Sequence, residues 1–313
     1  AETMAKIHRN DETYLAQQQQ NAATRSIPKL DHLPEPKEEP AEEGPAEAER
    51  PVKEKKKATT SQGGRAYTVA MVLCMVVFLF SGGMLLKRLW EDRQAENEFA
   101  DLQAMIDTTA APATGEDGTE TNSAKFAALR DQNPDFIGWL SIPDTNLDFP
   151  VMYAPNNKDF YLRHDFSREY SVYGVPYLDE KTTLGANDQS ENLVIYGHNM
   201  KTGTIFGCLT GYKKAEYYTE HPTITFDTVY GDGTYEVFAA FSIDVVADQS
   251  FVYNEYVDLD EAAYNAYVDE VIARSDVDTG IRPSYGDQLL TLSTCEYSSD
   301  NGRYVVVARR VNA

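Results

Sequence analysis

The amino-acid sequence predicts a mainly β protein with helices, in which eight strands form a closed or nearly closed barrel preceded by one transmembrane helix. Three observations predict this fold. Eight short apolar or aromatic runs lie between turn-forming residues in the C-terminal part of the chain. A long helical pattern interrupts them before the last two runs, and a long run without any charge lies upstream.

Residues 1–64 are predicted to form a disordered tail. Gln17 to Gln20 is a low-complexity run, and Asp31 to Glu54 alternates Pro, Glu and Ala with almost no side chain that could be buried. Segments of this composition usually serve as linkers or interaction tails.

The run from Ala66 to Leu86 is predicted to span a membrane. As a helix it rises roughly 31 Å, which is enough to cross the hydrocarbon core, whereas a buried core helix is the alternative. The flank before it carries more net positive charge than the flank after it, where Glu91 and Asp92 offset the basic residues. We therefore expect an uncleaved signal anchor over residues 65–88, with the tail in the cytoplasm and the larger segment outside.

Residues 89–122 are predicted to form a helix and a stalk. Trp90 to Asp107 is typical of a helix, with Leu102 and Ile106 at i, i+4 spacing. Thr108 to Asn122 is rich in Thr, Ala, Gly and acidic residues and is predicted to be flexible. The folded domain is expected to begin near Ser123 and to occupy residues 123–313.

The predicted strands of this domain are short. They are Phe136–Leu140, Phe149–Tyr153, Val175–Leu178, Leu193–Tyr196, Thr223–Phe226, Tyr235–Val246, Gln288–Thr294 and Tyr304–Val311. One long helix, from Asp258 to Ser275, is predicted before the seventh strand, with Asp258 as its N-cap and Glu261 reaching back. Its apolar stripe is expected to pack on the core and consists of Tyr264, Tyr267, Val268, Val271 and Ile272.

The charge of the chain limits its partners. The formal net charge is -22, and all of the acidic excess lies in residues 95–313 because basic and acidic residues balance before them. Such a surface repels phosphate backbones, so we do not expect nucleic-acid binding. It suits partners that carry amines, although the same charge also keeps an exposed domain soluble.

The cysteines do not form a disulfide scaffold. Cys74 lies in the apolar run, which leaves Cys208 and Cys295 for the folded domain. These two could pair, but Cys295 ends the apolar strand Thr291-Leu-Ser-Thr-Cys295 just before a turn-forming segment, as a reactive thiol would. Taken alone, a cysteine there is more often a small buried apolar residue.

Two further residues lie at strand ends. His198 ends the strand Leu193-Val-Ile-Tyr-Gly-His198 and is the best placed of the five histidines. Arg303 begins the strand that follows Cys295. A short hairpin loop would bring the thiol and the guanidinium to one cleft, although a lone histidine is usually structural and a lone arginine is usually solvated.

Together, the three segments resemble the sortase family. The resemblance is carried by Ile-Tyr-Gly-His198-Asn, by Thr-Leu-Ser-Thr-Cys295 and by Arg303 opening the last strand, and it covers about residues 124–313, including Tyr161-Leu-Arg-His-Asp-Phe166. The string Tyr-Gly-His-Asn-Met and the helix before the cysteine strand resemble class B sortases in particular. The tail before the anchor is longer and more acidic than is usual in the family.

The resemblance implies an eight-stranded sortase-type barrel and a transpeptidation route. Cys295 would attack the backbone carbonyl of a sorting peptide on a secreted protein, and His198 would act as acid and then as base. Arg303 and the backbone N–H of Glu296 would stabilise the oxyanion. The side chains expected to line the substrate groove are Leu162, Ser293 and Glu296.

The resemblance also implies partners and a location. The acyl group would pass to an amine, either on a peptidoglycan precursor for surface-protein anchoring or on a pilin lysine, outside a Gram-positive-type membrane. No cofactor is expected: there is no zinc-type ligand spacing, and the long helix occupies the region where class A relatives bind calcium.

Two other functions stay open. A membrane-bound cysteine protease or hydrolase would share the three residues but prefer water to an amine. An enzyme of the L,D-transpeptidase type would have Ser-His-Gly-Cys, whereas His198 and Cys295 are far apart here. A catalytically silent assembly module of a surface fibre would not need the intact cysteine, histidine and arginine.

Overall fold

The structure is a computed structural model that describes residues 63–114, 120–200 and 202–311. Residues 66–313 form one compact unit. Almost all of the tail predicted over residues 1–64 lies outside the described residues.

The described part of the chain contains four α-helices and ten strands. The helices are α1 (Gly63–Ala104), α2 (Ala127–Gln132), α3 (Ala215–Glu220) and α4 (Glu261–Arg274). The strands are β1 (Ala113–Thr114), β2 (Glu120–Thr121), β3 (Phe136–Ser141), β4 (Asp148–Met152), β5 (Tyr177–Leu178), β6 (Asn192–Tyr196), β7 (Thr223–Thr228), β8 (Thr234–Asp244), β9 (Leu289–Cys295) and β10 (Gly302–Val311). Short 3₁₀ turns occur at Phe160–Leu162, Gly207–Lys213 and Tyr253–Glu255.

Strands β3 to β10 form a closed barrel in the order β10-β8-β7-β3-β4-β5-β6-β9. The eight predicted strands and the barrel are thereby confirmed. Most neighbours are antiparallel, but β4 with β5 and β6 with β9 are parallel. Because β9 pairs with β10, the barrel has no open edge, and every strand has a neighbour on both sides.

Helix α4 covers one side of the barrel, as its apolar stripe predicts. Tyr264, Tyr267, Val268 and Val271 are buried against a cluster that includes residues of β8 and β10, and Ile272 packs at its margin.

The predicted cap of this helix is wrong by two residues. Helix α4 begins at Glu261, and its N-cap is Asp260, whose carboxylate accepts the Ala263 N–H at 2.8 Å. Asp258 instead accepts the Ser190 hydroxyl at 2.6 Å. Because its carboxylate bonds to Ser190, Asp258 does not cap the helix. No local sequence pattern indicates this bond, since the two residues are 68 positions apart.

Helix α1 is one continuous helix of 42 residues. Its segment Tyr67–Lys87 has a mean hydropathy of 2.6, and by length and composition it could cross a membrane. The helix predicted from Trp90 to Asp107 is the continuation of this same helix and ends at Ala104.

The C-terminal part of α1 and the last residue of the predicted stalk both contact the barrel. Leu102 is buried, and the ring of Phe99 meets Phe149 edge to face with centroids 4.8 Å apart. The Asn122 side chain donates to the Thr228 carbonyl at 3.0 Å. Packing therefore begins before Ser123, and the division of the chain into domains at residues 64, 88 and 122 stays a prediction.

Candidate active site

The parallel pair β6 and β9 brings two chemically active residues to one rim of the barrel. Tyr196 pairs with Ser293, and the two segments of the chain continue side by side beyond this last pair. The Gly197 N–H donates to the Ser293 carbonyl at 3.2 Å, and the Thr294 hydroxyl donates to the Gly197 carbonyl at 2.7 Å. These two bonds fix the residues that follow, His198 and Cys295, on neighbouring chain ends.

The antiparallel pair β9 and β10 adds the third residue. Cys295 and Arg303 are direct cross-strand partners. Such partners have their side chains on the same face of the sheet, so the thiol and the guanidinium share a face. The Arg303 Nη1 donates to the Gly302 carbonyl at 2.9 Å, which leaves most of its donors available. The hairpin that the sequence predicts is confirmed.

A cleft of about 430 Å³ contains all three residues, and its lining also includes Leu162 and Ser293. Aromatic side chains form much of the remaining wall: Tyr177, Tyr196, Phe251 and Tyr253. A second hollow of about 340 Å³, between α1 and β4, contains none of the residues expected to be active.

His198 is partly buried, and its ring is held by a backbone carbonyl. Nε2 lies 2.8 Å from the Leu162 oxygen, and because a carbonyl only accepts, Nε2 carries a hydrogen and donates. The proton that can be exchanged is therefore on Nδ1. Burial lowers the pKa of His198 below its usual value, the bond to Leu162 opposes that change, and the positive charge of Arg163 lowers the pKa further.

All three cysteines of the chain are free thiols, so no disulfide competes with chemistry at Cys295. Cys208 lies in the 3₁₀ turn Gly207–Lys213, where burial raises the pKa of its thiol. A raised pKa keeps Cys208 protonated and unreactive. Cys295 and Cys208 are both partly exposed, but only Cys295, at the end of β9, lines the cleft.

Asn199 is a positioning residue that the sequence analysis named only as part of a motif. Its side-chain amide donates to the Cys295 carbonyl at 2.8 Å, and its own carbonyl accepts the Tyr297 hydroxyl at 2.9 Å. The residue after the histidine thus ties the two chain ends together. Its place in the string Tyr-Gly-His-Asn was the available signal.

Two of the three predicted groove residues line the cleft. Ser293 is buried at its floor, with its hydroxyl 2.7 Å from the Tyr253 hydroxyl. Leu162 contributes the carbonyl that holds His198. Their contact with substrate stays a prediction.

Glu296 is not part of this lining, so its contact with substrate stays a prediction, whereas the predicted oxyanion role of its backbone N–H is corrected. Its carboxylate lies 3.0 Å from the Lys213 Nζ, and the side chain is not part of the cleft lining. Its backbone N–H donates to the Gly302 carbonyl at 2.9 Å and is not free to bind an oxyanion.

The sequence analysis missed the segment before α4 as part of the site. Phe251 and Tyr253 reach the cleft from this segment. Asn254 of the same segment donates to the Tyr196 hydroxyl at 2.9 Å, and that hydroxyl donates to the buried Asp179 at 2.7 Å. No local signal links these residues to Cys295, because only the closed barrel brings them near. Among the residues with described positions, no group of His, Cys, Asp and Glu side chains could hold a metal ion.

Comparison with known proteins gives consistent results. A family model for the sortase domain matches residues 140–311. The chain is 28% identical to sortase B of Staphylococcus aureus (strain NCTC 8325 / PS 47), over 78% of this chain and 96% of that protein. It is 30% identical to sortase B of Listeria monocytogenes serovar 1/2a, over 75% of this chain and 92% of that protein.

Solved structures give the same likeness. The Staphylococcus aureus sortase B–substrate complex is similar with a TM-score of 0.61 and 28% identity, covering 72% of this chain and 99% of that one. A sortase B complexed with triglycine is similar with a TM-score of 0.61 and 28% identity, covering 71% and 99%.

Proposed function

The chain belongs to the sortase family, in class B, and is a cysteine transpeptidase; from this premise we propose that it cleaves a C-terminal sorting signal of secreted proteins and transfers the acyl group to an amine through a thioester on Cys295. One observation supports the assignment most directly. His198, Cys295 and Arg303 come from three different strand ends and line one cleft.

In the first half of the reaction, the Cys295 thiolate attacks the backbone carbonyl carbon of the sorting peptide. The carbon–sulfur bond forms, and the carbon–nitrogen bond of the peptide then breaks. His198, as an imidazolium, gives its Nδ1 proton to the leaving amine, while the Leu162 carbonyl holds Nε2–H and fixes the ring. The product is a thioester on Cys295.

Arg303 stabilises the negative charge that develops on the carbonyl oxygen. Its place opposite Cys295 supports this role, since the oxyanion forms on the carbon that the sulfur attacks. The Glu296 N–H already donates to the Gly302 carbonyl, so it does not compete for the oxyanion. The Arg303 guanidinium is therefore the hydrogen-bond donor that we assign to the oxyanion.

In the second half, an amine attacks the thioester carbon. His198 now accepts the proton of the amine, the new carbon–nitrogen bond forms, and the thiolate leaves. The partner amine is either on a peptidoglycan precursor, which anchors a surface protein, or on a pilin lysine. The related complexes with substrate and with triglycine support a peptide donor and an amine acceptor as the two ligand classes.

We test this function with the full chain in detergent micelles, incubated with a pentapeptide library and candidate amines, and we weigh the products. The expected result is a thioester adduct on the wild-type protein that converts to an amide when an amine is added. Cys295→Ala is the control and forms no adduct. Release of free acid alone, at every amine concentration, would make the protein a hydrolase.

The span in α1 supports a single-pass anchor with residues 1–64 in the cytoplasm and the barrel outside. Protease added to intact cells is expected to digest the region after Trp90 and to spare residues 1–64. Permeabilised cells are the control, because both regions are then accessible. Digestion of the N-terminal tail in intact cells would show that the orientation is the reverse of the one proposed.

A further inference from the structure

Arg163 is an exposed cation in the cleft with no partner in the described part of the protein. It follows Leu162, whose carbonyl holds His198, and it is part of the cleft lining. Within the described stretches between residues 120 and 311, every other arginine donates to a carbonyl or pairs with a carboxylate, including Arg168 with Asp135 and Arg303 with Gly302. The Arg163 guanidinium has neither contact.

None of the described acidic groups of the cleft forms an ion pair with Arg163, and their carboxylates bond to other groups. The Asp159 carboxylate accepts the Tyr177 hydroxyl at 2.7 Å, and Asp248 pairs with Arg274 at 2.6 Å. In a domain with a large acidic excess, an arginine left unpaired among carboxylates is an available anion-binding group. Its planar fork matches a carboxylate.

The position of Arg163 relates its charge to one half of the reaction. Arg163 directly follows Leu162, whose carbonyl oxygen lies 2.8 Å from His198 Nε2, and Arg163 and His198 both line the cleft. The positive charge of Arg163 also lowers the pKa of His198. His198 protonates the departing amine and deprotonates the arriving one, so both amines occupy the space next to this ring. A cation there meets the substituents of the amine rather than those of the acyl group.

We propose that Arg163 binds a carboxylate of the amine nucleophile, so that the preferred acceptors are amines carrying a free carboxylate on the same chain. This inference rests on the proposed function. The carboxylate on Arg163 orients the amine towards the thioester carbon; the carbon–nitrogen bond forms, the carbon–sulfur bond breaks, and the amine proton passes to His198. Paired with Arg163, the carboxylate also offsets the charge that opposes protonation of the imidazole.

The test uses a series of acceptors that differ in one charge. Full-chain protein in micelles is first converted to its thioester with the best library peptide, so that differences in acylation do not enter. Glycine, β-alanine, 4-aminobutanoate and 6-aminohexanoate are each compared with their primary amides. The measured quantity is the ratio of the rate with the carboxylate to the rate with its amide. For at least one chain length we expect this ratio to be about tenfold higher in the wild-type protein than in Arg163→Gln.

Variants separate the charge of Arg163 from general effects. Arg163→Lys is expected to keep part of the preference, and Arg163→Glu to reverse it. The matched control is Arg168→Gln, which removes a cation from the same loop but outside the cleft lining, and its ratio stays at the wild-type value. Equal ratios in the wild-type protein and in Arg163→Gln, at every chain length, would overturn the proposal.

A second measurement does not need the acyl donor. In Cys295→Ala with ring-labelled histidine, nuclear magnetic resonance follows the titration of His198. Glycine, β-alanine, 4-aminobutanoate and 6-aminohexanoate are added in turn, and at least one is expected to raise the pKa of His198 because it neutralises Arg163, and to have no such effect in Arg163→Gln. If no thioester forms but this shift occurs, the proposed function fails while the carboxylate site stands. If thioester forms and the shift is absent, the inference about Arg163 fails alone.

Discussion

The start of strand β6 and the middle of strand β9 differ sharply from the ends of the two strands at the cleft. In the first region, the buried Thr291 hydroxyl of β9 lies 2.8 Å from the Tyr267 hydroxyl and donates to the side chain of Asn192, the first residue of β6, at 2.8 Å. Asn192 in turn donates to the Tyr256 carbonyl at 2.7 Å. At the ends of the same strands, His198 and Cys295 are only partly buried.

The difference shows how one pair of strands serves two purposes. A buried polar group without a partner costs about 1–3 kcal/mol, so the polar groups inside the barrel are paired with one another. At the open rim water solvates such groups, and they can keep free bonding capacity until a substrate arrives. Stability and chemistry are therefore separated by position along the strand, and each prediction below tests that separation.

The largest effect is expected at the nucleophile. Cys295→Ala should abolish thioester formation, whereas Cys208→Ala should retain most activity because burial raises the pKa of the Cys208 thiol. Mass spectrometry after incubation with the donor peptide measures both variants. A folded Cys208→Ala protein without activity would indicate that Cys208, and not Cys295, is the reactive thiol.

The next effect is expected at Arg303. Arg303→Ala should lower the acylation rate by roughly 10²–10³, the usual result of removing an oxyanion donor. Arg303→Lys should recover only part, since an ammonium lacks the planar fork. Single-turnover thioester formation is the measurement, and folding should be unaffected. A wild-type rate in Arg303→Ala would reduce the arginine to a surface residue.

In the middle of the strands the expected effect is on stability. Thr291→Val keeps the shape but leaves the Tyr267 hydroxyl and the Asn192 oxygen without their shared partner, which should cost about 1–3 kcal/mol in the free energy of unfolding. Denaturant unfolding followed by tryptophan fluorescence measures it. Thr219→Val removes an exposed hydroxyl on α3 and is the control, with a change within about 0.5 kcal/mol. A large loss of acylation per folded molecule in Thr291→Val would contradict the separation.

The smallest effect concerns pH. Thioester formation needs a thiolate and an imidazolium, so its rate should follow a bell, with the acid limb at the pKa of His198. With ordinary pKa values only about 1% of the pair is in this form near pH 7.5. Burial lowers the pKa of His198, which moves the acid limb to lower pH. Arg163→Gln removes a positive charge that lowers the pKa of His198, so the acid limb should move to higher pH in this variant. A move to lower pH would contradict the position assigned to Arg163.

Much of the barrel and of the site could be predicted because strand ends carry local signals. Apolar runs ending in Gly-His198 or in Cys295, and a run beginning at Arg303, indicate three rim positions, and the hairpin after Cys295 brings two of them together. The errors arise where a local pattern has more than one solution. Asp258 and Glu261 fit a capping box, yet Ser190 takes the Asp258 carboxylate and Asp260 caps the helix.

Other features could not be predicted because they depend on distant parts of the chain. Tyr253 reaches Ser293 only after the segment before α4 folds across the cleft. The isolation of Arg163 is evident only once the partners of the neighbouring carboxylates are known.

The parallel pairing of β6 with β9 has a consequence for timing. Asn199 and Cys295, joined by a hydrogen bond, are 96 positions apart, and Arg303 comes later still. Contacts this distant form late in folding, because the intervening chain must first be ordered. A chain that is still emerging or only partly folded contains a thiol but no catalyst, so the protein cannot acylate itself or its neighbours before the last strand closes the barrel. Activity therefore requires that the barrel has closed.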